Sequence, residues 1–388
     1  MKRTLLLTAL IAGLNTLYAQ KVNVKKEFDF AQSQTSYMLR EIPKAEAKPG
    51  QVSPRTFEDA KLKLVVSKDW TSGFFPGILW YLYDYTKSPK WLDEAKRFTA
   101  NIEKEQFNKG THDLGFMIYC SVGNAYRLTK DERYKPIIIQ AAKSLSSRFN
   151  PQTGVIRSWD HHQDIWQYPV IIDNMMNLEL LFDATKFSGD SSFYKIAVTH
   201  ANTTMKNHFR PDYSSYHVID YNPQTGGVNK KMTHQGYADE SAWARGQAWG
   251  LYGYTLCYRE TKDKRYLEQA KHIASFILNN PSMPKDLVPY WDYNDPEIPN
   301  TSRDASAAAI TASALYELSG YANDKTYRAK ANAILSSLSK NYHSPKNQNG
   351  GFILIHSTGH RPAKSEIDVP LTYADYYYLE ALLRSKKK

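Results

Sequence analysis

One short pattern occurs five times along this chain: a polar turn, then an aromatic residue, then an alanine at helical spacing. The aromatic residues of the five copies are Trp91, Tyr134, Tyr194, Tyr266 and Tyr327. In four copies an aspartate stands three or four residues ahead of the aromatic residue, where a helix N-cap is expected. Ser88 takes that place in the first copy, and the aspartates are Asp131, Asp190, Asp263 and Asp324. The pattern therefore predicts that each turn starts a helix.

The spacing between the aromatic residues sets the size of the repeat at 43, 60, 72 and 61 residues. This period exceeds that of the common two-helix repeats and leaves room for two helices and a long connection. A second, more apolar helix is predicted ahead of each turn and at the C-terminal end, at 73–85, 113–128, 173–187, 241–260, 305–319 and 371–384. An amphipathic stretch near 25–41 supplies the remaining outer helix. We therefore predict an all-α, single-domain (α/α)6 toroid with six inner and six outer helices.

Residues 20–388 are expected to form this one domain, because no Gly/Ser-rich or Pro-rich linker interrupts the repeats. Strand-like runs at 170–174 and 351–356 are short and fall between predicted helices. They do not predict a sheet-based core.

Residues 1–19 have the composition of a secretory signal peptide: Lys2 and Arg3, the apolar run Leu5–Leu14, and a short segment that ends Leu-Tyr-Ala. The apolar run is too short to span a membrane, and no cysteine follows it to carry a lipid anchor. We therefore expect an exported, soluble protein, periplasmic or secreted, that consists of residues 20–388. A buried N-terminal helix is the alternative.

The formal net charge of +11, or +9 without Lys2 and Arg3, favours an anionic partner. Nucleic acid is disfavoured because the basic residues are scattered and no nucleic-acid-binding motif is present. An acidic polysaccharide fits better, since several of the 28 tyrosines and 8 tryptophans cluster with His and Asp ahead of the inner helices. The two cysteines, Cys120 and Cys257, exclude a disulfide framework, and a single bridge between them stays open.

Six segments rich in polar and aromatic residues precede or begin the predicted inner helices, where side chains on loops can converge on a ligand. They are DWTSGFFPG at 69–77, HDLGF at 112–116, RSWDHH at 157–162, IIDNMMN at 171–177, SYHVIDYNPQTG at 215–226 and THQGYADESAWARGQAWG at 233–250. His161 and His162 could mimic a metal-binding pair, but adjacent residues do not share a helix face and no acidic third ligand is evident. We expect no metal and no cofactor.

These segments resemble the unsaturated glucuronyl hydrolases, glycoside hydrolase family 88, along essentially the whole mature chain. The resemblance includes PYWDYNDPEIPNTSRDASAAAI at 289–310 and SEIDVPLTYADYYYLEALLR at 365–384. It implies an (α/α)6 barrel without a metal, in agreement with the repeat pattern. It also implies the substrate, an oligosaccharide produced by a polysaccharide lyase, whose non-reducing end is a uronate with a C4=C5 double bond. We expect a monomer without a membrane anchor.

By this resemblance Asp173 matches the family's general acid and base, and Asp113 matches its second essential carboxylate. From the chain alone, an aspartate that heads a helix is most simply an N-cap or a helix-dipole partner. The resemblance assigns nine further residues to the sugar site: Trp70, His112, Trp159, Asn174, His217, His234, Gln235, Arg245 and Trp249.

Without the resemblance, each histidine would be interpreted as a structural residue and Trp249 as part of the hydrophobic core. For Arg245 the alternative is a salt bridge to Asp239 or Glu240. A guanidinium also offers a planar, two-pronged contact to a carboxylate, so the resemblance implies that Arg245 helps to hold the substrate's uronate.

The implied mechanism differs from that of ordinary glycosidases, which develop charge at the anomeric carbon between two carboxylates. Asp173 gives a proton to C4 while water adds at C5, and the resulting hemiketal opens and releases the shortened glycan. A general acid near neutral pH needs a pKa above the usual value for Asp, about 3.9, and burial next to a charged Asp113 would raise it.

The rest of the glycan stays open at this stage. Arg361, Lys364 and Ser365 in the segment GHRPAKSE at 359–366 could contact a sulfate, or this segment could be a solvated turn. Two other functions are considered: an unsaturated rhamnogalacturonyl hydrolase acting on pectin fragments, and a non-catalytic protein that binds acidic glycans. The latter should lack one of the two aspartates, and this chain keeps both.

Overall fold

Twelve α-helices build most of the structure, a computed structural model that describes residues 22–46 and 48–387. The predicted signal peptide at 1–19 lies outside the described residues. The helices, α1 to α12 in chain order, span Val24–Glu41, Phe74–Thr86, Pro89–Ala100, Asn124–Thr129, Tyr134–Ser146, Leu178–Ser188, Ser191–Asn207, Ala244–Thr261, Lys264–Asn279, Ala305–Ala322, Lys325–Asn341 and Thr372–Lys386.

The helices alternate between an inner and an outer layer. Inner helices such as α10 are buried on nearly all sides, which the mostly Ala and Ser side chains from Ala305 to Ala314 permit because small side chains let helices approach closely. Outer helices such as α3 bury one face, with Trp91, Ala95 and Phe98 turned inward. The apolar pattern of each helix thus decides its layer.

The inner helices close into a ring. Helix α12 packs against α10 on one side and against α2 on the other, while α8 packs against α10 and α6. Helix α1 pairs with the end of the chain, since Tyr378 on α12 donates to Glu27 at 2.8 Å. The predicted (α/α)6 toroid is therefore the observed architecture.

Most of the predicted turns start helices as expected. The side chains of Asp190, Asp263 and Asp324 accept a backbone N–H two residues on, in the first turn of α7, α9 and α11. Ser88 is the N-cap of α3 but makes no side-chain capping bond. The expectation fails for Asp131, because α5 begins three residues later and the carboxylate bonds within the preceding turn.

The second and third inner elements begin irregularly, and they carry the two aspartates of interest. A π-helical segment, Gly115–Gly123, precedes α4, and a 3-10 segment, Ile172–Asn177, precedes α6. A Cβ at Gly115 would lie 2.6 Å from the Cα of Asn177, so only glycine allows this approach. The side chain of Asn177 accepts the N–H of Phe116 at 3.1 Å and ties the two segments together.

Seven short strands lie in the connections within the described part of the chain. They are β1 Gln51–Glu58, β2 Lys61–Val66, β3 Phe149–Asn150, β4 Val155–Ile156, β5 Pro169–Ile171, β6 Val218–Tyr221 and β7 Val228–Met232. The hairpins β1–β2 and β3–β4 are antiparallel, and so is the sheet β5–β6–β7, in which Ile171 pairs with Val218. The run at 170–174 is thus partly strand, whereas 351–356 contributes a single bridge at Leu354.

Cys120 and Cys257 are both buried free thiols, so the bridge left open above is not formed. Across 22–46 and 48–387, helices of sufficient length and apolarity to cross a bilayer are absent.

Candidate active site

The starts of the inner helices surround a cavity of about 190 Å³. Eight of the eleven predicted site residues line it: Trp70, His112, Asp113, Trp159, Asp173, His234, Gln235 and Arg245. The other three, Asn174, His217 and Trp249, do not line the cavity itself. The structure thus brings residues from five of the six segments to one place.

Asp173 lies in the 3-10 segment that follows β5, and its carboxyl group is buried. Strand β5 is held by β6, and the N–H of Ile172 donates to the carbonyl of His217 at 3.1 Å. Burial raises the pKa of Asp173 to about 7; the positive charge of Arg245 lowers the pKa and the nearby Asp113 raises it. The group is therefore poised to carry a proton near neutral pH.

Asp113 precedes the π-helical segment, and its side chain is 13% exposed. The hydroxyl of Thr111 donates to Asp113 Oδ2 at 2.9 Å. Burial raises the pKa of Asp113 to about 7, against the opposing effect of the Thr111 hydrogen bond. His112 Nε2 is 3.1 Å from Asp113 Oδ1, but burial lowers the pKa of His112 to about 3. This contact is therefore between a neutral imidazole and a carboxyl group, not an ion pair.

His217 connects the 234–235 loop with Asp173. Its Nδ1 accepts the backbone N–H groups of His234 and Gln235 at 3.0 and 3.1 Å. The proton of the neutral ring must therefore sit on Nε2, which is 3.8 Å from Asp173 Oδ2. Burial holds the pKa of His217 well below its ordinary value, so the ring stays neutral.

Arg245, the second residue of α8, is 1% exposed and is held mainly by its own chain. Its Nη1 donates to Asp304 Oδ2 at 3.1 Å and to the carbonyl of Thr358 at 2.5 Å, and Nη2 donates to the carbonyl of Gly359 at 2.6 Å. The salt bridge considered from the sequence was assigned to the wrong acidic residues, since Asp304 takes the place of Asp239 or Glu240. These bonds use three of the five N–H groups of Arg245, and Nε has no partner, so the two-pronged contact to a uronate stays a prediction.

Buried polar atoms without a hydrogen-bond partner concentrate at this site. Among the described residues they include atoms of His112, Asp173, Asn174, His217, Arg245, Trp249 and Tyr373. A buried polar atom without any hydrogen-bond partner is costly, so such atoms mark places where a polar partner is expected. Their concentration around one cavity indicates a binding site for a polar ligand rich in hydroxyl or carboxylate groups.

The three predicted tryptophans have different surroundings. Trp70 and Trp159 are half-buried and line the cavity, and Trp159 lies near His234 with ring centres 5.1 Å apart. Trp249 is fully buried against Phe116, at 5.1 Å between ring centres. The core role considered from the sequence therefore describes its packing, while its unpartnered Nε1 marks its nearness to the polar site.

Asn174 supports the site from behind the cavity. Its Nδ2 donates to the carbonyl of Ile156 on β4 at 2.8 Å, and its Oδ1 has no partner. The residue thus joins β4 to the segment that carries Asp173.

Sequence reasoning missed several residues of the cavity lining: Arg55, His161, His360, Glu366 and Tyr373. Tyr373 stands in a segment that carries the family resemblance, and this was the available signal. Arg55 lies on β1, where nothing in the helical repeat pattern points to the site. His161 was considered as a metal ligand. In the described part of the chain, however, groups of three or more His, Cys, Asp or Glu placed to hold a metal ion are absent.

The segment 359–366 forms a turn beside the cavity. Arg361 is paired with Glu297, and its Nε lies 3.9 Å from Asp295 Oδ2. Lys364 and Ser365 are exposed and do not line the catalytic cavity. A sulfate contact by these residues therefore stays a prediction.

Comparisons with known proteins agree with this geometry. The model of Glycosyl Hydrolase Family 88 matches residues 50–384. The chain is 52% identical over 324 residues to the unsaturated glucuronyl hydrolase of Formosa agariphila, covering 83% of this chain and 81% of that protein. It is 34% identical to the unsaturated chondroitin disaccharide hydrolase of Streptococcus pneumoniae, with 86% of each chain covered.

A similar solved structure is that of an unsaturated glucuronyl hydrolase specific for heparin. It is 50% identical in sequence, its TM-score is 0.89, and the match covers 93% of this chain and 96% of the other. A family match that spans most of the chain and a relative of this identity together establish membership. The chain therefore belongs to Glycosyl Hydrolase Family 88, and it is a glycoside hydrolase.

Proposed function

We propose that the protein removes the 4,5-unsaturated uronate from the non-reducing end of lyase-generated, glycosaminoglycan-type oligosaccharides. The observation that carries this proposal is the pair Asp113 and Asp173, two carboxyl groups that line one cavity and whose pKa values are both raised to about 7. The charge of Asp113 raises the pKa of Asp173, so ionisation of the first favours the protonated form of the second.

The reaction begins with a proton transfer from Asp173 to C4 of the vinyl ether. A water molecule adds at C5, and the Asp173 carboxylate takes up the proton that this water loses. The product is a hemiketal at C5, which opens to a ketone. Ring opening leaves a hemiacetal at the anomeric carbon. The glycosidic bond of this hemiacetal then breaks and releases a 4-deoxy keto-uronic acid and the shortened glycan. Atoms balance with one water consumed and Asp173 regenerated.

His217 and Asp113 assist Asp173 in different ways. The Nε2–H of His217 lies 3.8 Å from Asp173 Oδ2, where it can stabilise the carboxylate that forms after the first proton transfer. Asp113 keeps the proton on Asp173 before that step through the effect of its charge. Asp113 therefore favours the protonated form of Asp173 before the first proton transfer, and His217 favours its ionised form afterwards.

The uronate carboxylate would be held by donors of Arg245 and Tyr373. Arg245 Nε and the hydroxyl of Tyr373 are buried, unpartnered and located on residues that line the cavity. Hydrogen bonds from such donors to a carboxylate are stronger than neutral ones. The half-buried faces of Trp70 and Trp159 are suited to pack against the sugar rings.

The choice of glycan is inferred from the relatives. The Streptococcus pneumoniae protein is named for chondroitin disaccharides and the solved relative for heparin, and chondroitin and heparin are both glycosaminoglycans. Two features of this chain point to an anionic glycan: its formal net charge, which is +9 without Lys2 and Arg3, and the exposed Lys364 in the turn beside the cavity, next to the hydroxyl of Ser365. We infer that sulfated and unsulfated disaccharides are distinguished at this edge.

The test is to mix the purified protein with unsaturated disaccharides and to follow the ultraviolet absorbance of the C4=C5 bond. Sulfated and unsulfated glucuronyl substrates and an unsaturated galacturonyl-rhamnose are compared. Loss of absorbance with the glucuronyl substrates supports the proposal. Loss with the pectin fragment alone indicates a rhamnogalacturonyl hydrolase, and no loss with any substrate indicates a glycan-binding protein.

We also propose that residues 1–19 direct export and are removed, so that the enzyme acts in the periplasm or outside the cell. The composition of this segment supports the proposal. N-terminal sequencing of the protein recovered from cell fractions tests it, and an intact Met1 in the cytosolic fraction would contradict it.

A further inference from the structure

An ion pair in the cavity wall has no part in the reaction proposed above. Arg55 on β1 donates from Nε and Nη2 to the two carboxylate oxygens of Glu366, at 2.5 and 2.9 Å. Its Nη1 donates to Asp69 Oδ2 at 2.9 Å. Both Arg55 and Glu366 line the catalytic cavity. Each of the three nitrogens of the guanidinium is therefore held by a carboxylate of the chain itself.

Glu366 closes the turn formed by residues 359–366. The N–H of Gly359 donates to the carbonyl of Glu366 at 2.6 Å, and His360 and Ser365 exchange two backbone hydrogen bonds at 3.0 and 3.1 Å. A Cβ at Gly359 would lie 2.4 Å from Glu366 Oε2. The carboxylate that binds Arg55 thus lies in close contact with Gly359. A side chain at position 359 would collide with this carboxylate and displace it.

Gly359 in turn holds two residues of the sugar site. Its carbonyl accepts from Arg245 Nη2 at 2.6 Å and from Gln235 Nε2 at 3.2 Å. A continuous series of contacts therefore runs from Arg55 through Glu366 and Gly359 to Arg245 and Gln235.

The pair also separates two spaces. Arg55 and Glu366 belong to the lining of a neighbouring cavity of about 680 Å³, which the β1–β2 hairpin and the end of α1 enclose. If the ion pair were lost, the turn at 359–366 would have open space to move into on that side. The ion pair is therefore one of the contacts that hold the Gly359 carbonyl in position, together with the backbone hydrogen bonds of the turn.

We propose that Arg55 and Glu366 are positioning residues that fix the Gly359 carbonyl, so that Gln235 and Arg245 are held in place toward the uronate of the substrate. This inference rests on the proposed function. A two-pronged arginine–carboxylate contact suits such a role because it sets both distance and orientation. The proposed reaction uses neither residue as an acid, a base or a nucleophile, so their loss should weaken substrate binding more than it slows the chemical step.

The experiment compares Glu366→Gln and Arg55→Lys with a matched control, Glu317→Gln. Glu317 is also a largely buried carboxylate bonded to an arginine, since it accepts from Arg259 at 3.1 Å, but it lies about 18 Å along α10 from the end that faces the cavity. For each variant we would measure Tm, and kcat and KM on an unsulfated unsaturated disaccharide. The methyl ester of that disaccharide serves as a second substrate, because it lacks the carboxylate charge.

A displacement of about 1 Å at a site can cost a factor of about 100, so we expect KM for the acid to rise at least about tenfold in Glu366→Gln, with kcat within about threefold of wild type. The preference of wild type for the acid over its ester should fall by a similar factor. Arg55→Lys keeps the charge but loses the two-pronged geometry, and it should show the same effects to a smaller degree.

The inference would be overturned if Glu366→Gln lowered Tm as Glu317→Gln does while KM and the acid-to-ester preference stayed at wild-type values. If Glu366→Gln does not fold, Arg55→Lys decides by the same criteria. A wild-type protein that is inactive on every unsaturated uronate would instead remove the proposed function, which is a separate outcome.

Discussion

His217 Nε2 lies 3.8 Å from Asp173 Oδ2, while the Nδ1 of the same ring accepts two backbone N–H groups from His234 and Gln235. One neutral imidazole therefore anchors the loop of residues 234–235 and presents its single proton to Asp173. The two functions use different ring atoms, so they can be separated by substitution.

His217→Asn should keep the anchor, because an asparagine oxygen can occupy the place of Nδ1 and accept both amides. It removes the N–H that faces Asp173. We expect Tm close to wild type and kcat lower by about tenfold to a hundredfold, since a single positioned donor contributes on that order. The measurement is kcat on the unsaturated disaccharide together with thermal unfolding. A variant that loses Tm but keeps kcat would show that the ring is only structural.

Asp173→Asn should abolish turnover, because it removes the proton that is delivered to C4. General acid–base groups contribute about 10² to 10⁴ in rate, so a loss of at least a thousandfold in kcat is expected. Substrate binding, measured by calorimetry, should persist within about fivefold of wild type because the donors for the uronate are untouched. Near-normal turnover in this variant would disprove the proposed mechanism.

The activity should fall on the alkaline side of neutrality. Because the pKa of Asp173 is raised to about 7, the protonated acid is lost above that pH, and kcat/KM should drop about tenfold per unit from there. A bound carboxylate disfavours ionisation further, so the limb in kcat should lie at higher pH than the limb in kcat/KM. Both profiles can be recorded from the ultraviolet assay. An alkaline limb near pH 4, the ordinary value for Asp, would contradict this assignment.

The same two carboxyl groups should reduce stability at high pH. Their pKa values are about 7 in the folded protein, against 3.8 for a free side chain, so the folded state holds protons more tightly than the unfolded state. The stabilisation by these protons is complete below about pH 4 and is lost as pH rises through about 7, with an upper limit of roughly 4 kcal/mol for each group.

Asp113→Asn cannot ionise, so its Tm relative to wild type should increase from pH 4 to pH 8, with a gain of at least about 2 °C at pH 8. Differential scanning fluorimetry across this range checks the trend. The other titratable groups are the same in both proteins, so their effects cancel in the difference between the two Tm values. A difference in Tm between variant and wild type that does not change with pH would mean that folding does not disfavour ionisation of Asp113.

The thiols of the two cysteines should be unreactive in the folded protein. Both are buried free thiols, and burial raises the pKa of each thiol above its ordinary value. Reductant should therefore leave Tm and activity unchanged, and a thiol reagent should modify neither residue until the protein is denatured. Mass spectrometry of native and unfolded protein after the same exposure counts the modified thiols.

The helical ring could be predicted because the repeat pattern is local. Asp190, Asp263 and Asp324 are capping residues whose partners lie two residues away, and the periodic apolar runs placed α2 and α8 within a few residues of their true bounds. The pattern could misplace an individual side chain. Tyr194 of the repeat is 37% exposed, and its neighbour Phe193 takes the buried position at 3%.

The irregular starts of the second and third inner elements could not be predicted, because an apolar run does not distinguish a π or 3-10 turn from an α turn. The partner of Arg245 was also out of reach, since Asp304 lies 59 residues away and the carbonyls of Thr358 and Gly359 more than 110. Arg55 entered the site through a hairpin that the repeats do not include. Residue identities at the site could thus be inferred by resemblance, whereas their hydrogen-bond partners required the fold.

The helices α2, α8, α10 and α12 all begin close to the cavity, with Trp70, Arg245, Asp304 and Tyr373 at or just before their first turns. Every helix carries a partial positive charge at its N-terminus, and here several such ends converge on one small space. An anionic sugar is therefore attracted by peptide dipoles that cannot be titrated away. These dipoles would add to the hydrogen bonds that Arg245 Nε and the Tyr373 hydroxyl offer to a carboxylate ligand.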